Sequence, residues 1–212
     1  MKMKKTLAAF LAVAMVFSLA ACGDRQSAPD HTADPIPAQT APASAETPSA
    51  EDRKALVVYF SAQNHTEAVA QTIAEHMGAD IFELIPTVPY TEDDLNWRDE
   101  DSRVCREHDD PALQTIELET ITPDNWADYD IVFVGYPIWW QNASWVVTTF
   151  VSANDFEGKT VIPFCTSSSS GYGESGKNLA TAANGGDWRE GIRFRSSVDP
   201  ADVTAWLDEL EL

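Results

Sequence analysis

Residues 54–78 constrain the chain more than any other stretch. Ala55-Leu-Val-Val-Tyr-Phe60 is an unbroken apolar run. A run without polar alternation belongs to a strand covered on both faces, which is the situation of a parallel sheet. A parallel strand needs a crossover, and the next residues supply one. Val69, Ala70, Ile73, Ala74 and Met77 recur at helical spacing up to Gly78, a residue suited to stop a helix. Ser61-Ala-Gln-Asn-His-Thr66 links the two, and Asn64 with Glu67 has capping-box spacing, so the helix is expected to start at Asn64. The backbone N–H groups and positive dipole end at such a start can hold an anion, such as a phosphate, without Lys or Arg.

Later segments repeat the alternation. Residues 80–86 carry Glu83 and suit a partly exposed edge strand, residues 130–135 form a second continuous apolar strand, and residues 159–165 a third. Pro163 in that third run lacks the N–H a central ladder needs, so it must sit at a bulge or where a neighbouring strand has ended. Ile192 and Phe194 alternate with Arg193 and Arg195 as an edge strand. Helices are expected over 144–151 and 175–183, and from Asp199-Pro200 onward with Val203, Trp206, Leu207 and Leu210 on the buried side. Residues 87–123 have no sustained period, and either a short helix around 101–108 or extended loop fits them. Five strands alternating with helices make an α/β domain built on a doubly wound five-stranded parallel sheet. With the apolar strands central and the charged ones at the edges, the order is 2-1-3-4-5. Ligands of such a sheet bind beyond the carboxyl ends at its switch point, between the first and third strands. The loops that converge there begin at Ser61, Pro137 and Thr166.

The N-terminus is of a different kind. Lys2, Lys4 and Lys5 precede an apolar stretch over 6–19, of signal-peptide length and too short for a membrane-spanning helix. Leu19-Ala20-Ala21-Cys22 resembles the lipobox of bacterial lipoproteins, which implies cleavage after residue 21 and a diacylglycerol on the Cys22 sulfur. An ordinary signal peptide with an incidental Cys22 is the alternative. Lipid chains contribute roughly 0.8 kcal/mol per buried methylene, so the anchor would hold the protein to the cell membrane on its extracytoplasmic side. Residues 22–53 are rich in Pro, Ala, Ser and Thr without hydrophobic period, and read as a disordered tether with a typical reach of about 30 Å. Losing residues 1–21 removes three lysines and no acid, taking the formal charge from −20 to −23. Charge of that sign argues against nucleic acid and anionic headgroups as partners. Cys105 and Cys165 match no metal pattern and read as a disulfide or as two separate thiols, with Cys165 a small buried residue at a strand end.

Residues 54–212 resemble the flavodoxin-like family, in particular bacterial flavodoxins with Pro-Ile-Trp-Trp after the third strand. The resemblance implies FMN as cofactor and three loops that hold it. Ser61 and Thr66 match the phosphate loop Ser-x-Thr-Gly-Asn-Thr, while Gln63 replaces its middle hydroxyl, Asn64 its Gly and His65 its Asn. Asn tolerates left-handed backbone angles, so the turn survives that exchange. Pro137, Ile138, Trp139 and Trp140 would wall the isoalloxazine pocket. Two adjacent Trp cannot both face one core, so at least one is expected at a ligand or at the rim of the site. Thr166, Ser167, Ser168, Ser169, Gly171 and Tyr172 resemble the loop that faces the polar edge of the flavin, and Tyr172 either covers the ring or stays at the surface.

The implied function is that of an FMN-binding electron-transfer protein, anchored at the membrane surface and serving a redox protein partner or a small electron acceptor. Two other readings stand beside it. One is an NAD(P)H-dependent quinone or flavin reductase on the same fold; the other is a surface lipoprotein that has lost flavin. No acid–base pair, Ser-His-Asp set or metal cluster is visible in the sequence, so no side chain is nominated as catalytic or as a metal ligand. The flavin would carry the electrons and the protein would tune it. Few basic residues near the loops and an acidic body disfavour a negatively charged reduced flavin, hence a low reduction potential.

Overall fold

The computed structural model describes residues 53–212. The expected signal segment, Cys22 and the expected tether up to residue 52 lie outside the described residues. Among the described residues no helix is long and apolar enough to cross a membrane.

Strand β1 (Ala55–Tyr59) is central, paired in parallel with β2 (Asp80–Glu83) on one side and β3 (Ile131–Trp139) on the other. Beyond β3 lies β5 (Thr160–Thr166), also parallel. The outermost position is shared by two short strands, β6 (Asp187–Trp188) and β7 (Ile192–Phe194), both parallel to β5. The order β2-β1-β3-β5-β6 is the expected one, with its last strand divided. Pro163 explains the division. On that side β6 reaches only to Val161 of β5 and β7 begins only at Phe164, so the ladder is open where the proline has no N–H to give. Gly191 lies in the opening, where a Cβ would sit 2.2 Å from the Tyr172 hydroxyl and 2.3 Å from the Pro163 carbonyl oxygen.

Alternation along the central strands divides the core in two. Val57, Tyr59, Phe133, Ile162 and Phe164 point to α1 (His65–Met77) and α5 (Pro200–Asp208). Leu56, Val58, Val132, Val134 and Val161 point to the opposite layer, made by α2 (Arg103–Asp109), α3 (Trp145–Ala153) and α4 (Ser175–Ala182). Val203 and Leu207 are the fully buried residues of α5, with Trp206 and Leu210 packed at the edge of the same cluster. Asp199 caps α5 by accepting from the Ala201 N–H, with Pro200 in the first turn, where its missing N–H has no intrahelical role.

Two local expectations change. Asn64 is the N-cap of α1, yet its side chain makes no cap bond, because φ is +63° rather than the extended value a capping box requires. Glu67 accepts from Gln71 instead. Residues 137–139 are not loop; they prolong β3, which turns back through Trp140 and Gln141 into the antiparallel β4 (Asn142–Ala143). Residues 87–123 are ordered around α2, whose N-cap Ser102 accepts from the Cys105 N–H. Cys105 and Cys165 are both buried free thiols, not a disulfide.

Candidate functional site

The loops at the carboxyl ends of β1, β3 and β5 enclose a cleft of about 580 Å³. From the first loop come Ser61, Ala62, Gln63, His65 and Thr66; from the second Pro137, Ile138, Trp139 and Trp140; from the third Thr166 to Ser170. Asn64, Gly171 and Tyr172 do not line it. Asn64 acts through its backbone: its left-handed φ turns the chain into α1, so the N–H groups of the first helical turn, ahead of the Ala68 N–H bonded to the Asn64 carbonyl, have no intrahelical acceptor. Tyr172 neither covers the cleft nor stays at the surface. Its ring runs inward, with the hydroxyl beside Gly176 and Gly191.

The loops are tied to one another. Thr66 Oγ1 and Thr166 Oγ1 lie 2.9 Å apart, both residues buried, so the first and third loops share a hydrogen bond under the cleft floor. One of the two hydroxyls must donate to the other, which leaves the acceptor's own proton free for a third group. Arg193 holds the third loop from behind, its Nη2 donating to the Ser167 carbonyl at 2.7 Å, and the Ser170 N–H bonds Ser167 Oγ at 2.9 Å. Ser168 and Ser196 hydroxyls meet at 3.2 Å, which brings Ser196 into the wall.

At one end, the Ser61 hydroxyl is buried with no hydrogen-bond partner, beside the start of α1. A buried orphan of that kind costs stability unless a ligand supplies the missing acceptor. Ser61, His65, Thr66 and the free amides of α1 fit a phosphate, and among the described residues no Lys or Arg lines the cleft. At the other end the lining is aromatic. Trp139 is half-buried, edge-on to Phe60 at 5.8 Å, to Tyr90 at 5.3 Å and to Trp145 at 5.3 Å. Trp140 is 37 % exposed and stacks on Trp145 at 6.0 Å, with His108 against it at 4.3 Å. The adjacent tryptophans thus divide as expected, one into the aromatic cluster and one onto the rim. Trp140 and Gln141 have φ of +44° and +67°, as a two-residue hairpin requires, and a tryptophan held there costs roughly 1–2 kcal/mol.

Leu95, Trp97 and Val104 complete the cleft from the segment that has no sequence period. Val104 was a legible apolar position within a possible helix, but nothing in the pattern aims Leu95 or Trp97 at this cleft. The nearby thiol is no nucleophile, since burial pushes Cys165 up to about 12. A hydroxyl-lined end at a helix start and an aromatic end across the same cleft suit an amphipathic ligand with an anion at one end and a flat ring at the other.

Comparison with known proteins agrees with this geometry. The sequence model of the flavodoxin family matches residues 54–210. A protein from Bacteroides uniformis classed as a flavoprotein superposes with a TM-score of 0.69 at 36 % identity, covering 74 % of this chain and 99 % of that one. A second from Bacteroides eggerthii gives 0.66 at 37 % identity, over 73 % and 96 % of the two chains. A flavoprotein from Lactobacillus acidophilus solved in complex with FMN shares the fold at 17 % identity, with a TM-score of 0.54 over 73 % and 99 %. No curated protein matches the chain. Residues 54–210, three quarters of the sequence, match that model, and the chain belongs to the flavodoxin family.

Proposed function

We propose that the protein binds FMN in the cleft at the carboxyl end of its sheet and transfers electrons there, held at the membrane surface by a lipid on Cys22. The observation that carries the reading is the buried, unpartnered Ser61 hydroxyl at the start of α1, opposite an aromatic wall in the same cleft. In it Ser61, Gln63, His65 and Thr66 hold the phosphate with the amides of α1. Trp139 and Trp140 flank the ring, and Thr166 to Ser169 present the third loop to its polar edge. The flavin, when bound, supplies one- and two-electron chemistry. The chain's part is to bind it, orient it and set its potential. With no Lys or Arg among the described residues that line the cleft and an acidic body around it, a negatively charged reduced ring is disfavoured, so the potential is low.

The test is titration of residues 54–212 with FMN, followed by flavin fluorescence. Saturation at one flavin per chain is expected, with riboflavin binding at least tenfold weaker because it lacks the phosphate. Absence of any quenching refutes the flavin reading, and a midpoint potential well above that of free FMN refutes the electrostatic one. Anchoring is tested separately: Cys22→Ser should move the protein from the membrane fraction to the soluble one. Oxidation of NADPH by the purified protein alone would make it a reductase rather than a carrier.

A further inference from the structure

Glu107 is a charged residue buried to 5 % exposure outside the cleft, and the flavin-binding reading gives it no role. Its carboxylate collects three donors. Tyr90 donates its hydroxyl at 2.6 Å, Trp145 its indole N–H at 2.8 Å, and Arg103 its Nε at 2.7 Å as an ion pair. Arg103 is occupied in turn, with its guanidinium 3.9 Å from the centre of the Tyr90 ring and Nη1 donating to the Val88 carbonyl at 2.7 Å. Burial and the carboxylate together push the Tyr90 hydroxyl well above its usual range, so it stays a donor.

Two of those donors are the rings that hold Trp139. Tyr90 and Trp145 each lie 5.3 Å from it, edge-on, and Trp145 also carries the exposed Trp140 on its face. The carboxylate therefore fixes the rotation of both supports of the cleft's aromatic wall. Ring packing alone would not do so, because aromatic pairs tolerate a range of tilts whereas a charged acceptor at 2.6–2.8 Å admits few. We propose that Glu107 is a positioning residue for the flavin wall: through Tyr90 and Trp145 it presets Trp139 and Trp140 in the orientation that receives a planar ring. The proposal rests on the flavin reading of the cleft and gives a role to the one buried acid of residues 87–123. The otherwise patternless segment delivers one buried acid beneath the wall, with Arg103 four residues earlier on the same helix to neutralise it.

A preset wall spares the ligand the cost of ordering those side chains, so losing it should weaken FMN binding by about tenfold. Removing Glu107 alone would strand Arg103, so the pair is best replaced together by Arg103→Leu with Glu107→Leu, which keeps the volume apolar. Tyr90→Phe removes one donor and leaves both its ring and the carboxylate in place. The double variant is expected to melt cooperatively, to bind FMN about tenfold more weakly, and to change the visible circular dichroism of the bound flavin. Tyr90→Phe should show part of the same change. Lowered melting temperatures with wild-type FMN affinity and unchanged flavin dichroism would mean a merely structural ion pair and overturn the proposal. Acrylamide quenching and near-ultraviolet dichroism of the unliganded proteins read the wall without flavin. Identical tryptophan signals in wild type and variants overturn the proposal even if wild type binds no FMN, an outcome that by itself removes only the flavin reading.

Discussion

Replacing Thr66 by Val removes the hydroxyl that meets Thr166 Oγ1 at 2.9 Å and keeps the side-chain shape. The two residues are 1 % and 4 % exposed, so little water reaches the hydroxyl left behind. An orphaned buried hydroxyl costs about 1–3 kcal/mol, whereas exchanging both partners for apolar groups of the same shape is nearly neutral. Thr66→Val and Thr166→Val should each destabilise the domain by about 1–2 kcal/mol, and the double variant by less than either. The resulting coupling is about 1–3 kcal/mol. At this domain size one kcal/mol moves the melting temperature by about 2–4 °C, so each single variant should melt about 4 °C low and the double within about 2 °C of wild type. Urea and thermal unfolding of residues 54–212, followed by far-ultraviolet circular dichroism, give all three values. Additive losses, with the double variant the least stable, would refute the argument. They would mean that each hydroxyl serves a partner other than its opposite.

Gly135→Ala places a Cβ 2.2 Å from Phe164 Cζ in a fully buried ring, so unfolding should show a loss of about 1–3 kcal/mol or more. Asn64, with φ of +63°, should accept Gly with little change in melting temperature, while Val there should cost at least about 1–2 kcal/mol. Lys159→Met removes the Nζ that donates to the Trp126 and Tyr129 carbonyls at 2.8 and 2.6 Å, and chemical denaturation should register a loss of about 1–3 kcal/mol. The Asp94 carboxyl accepts from the Thr91 N–H and hydroxyl, which hold its pKa below the usual carboxylate value. A depressed folded-state pKa stabilises above the unfolded value and the benefit fades as pH falls through the folded one. The melting-temperature gap between wild type and Asp94→Ala, present at pH 7, should therefore close as pH drops below about 4.

What the linear chain decides here is what depends on local pattern. The unbroken apolar run at 55–60 and the spaced Val69, Ala70 and Ile73 commit the chain to a strand, a turn and a helix, because burial of each element follows from its own period. Three such units in succession determine the sheet order and the end of the sheet at which the loops meet. Pro163 was legible for the same reason: a missing N–H has one consequence wherever it lies, and the divided outer strand is that consequence. Side-chain roles that depend on distant partners were not legible. Asn64 carried a capping signature and serves instead through a left-handed backbone, and Tyr172 sits in the third loop but turns into the gap beside Gly191. Leu95 and Trp97 reach the cleft, and Glu107 reaches Trp145 across 38 residues, from a segment whose order comes from contacts with the rest of the domain. Tertiary structure alone made that choice, because an acid is worth burying only where Arg103, Tyr90 and Trp145 converge on it, and no property of the segment's own sequence records that they do.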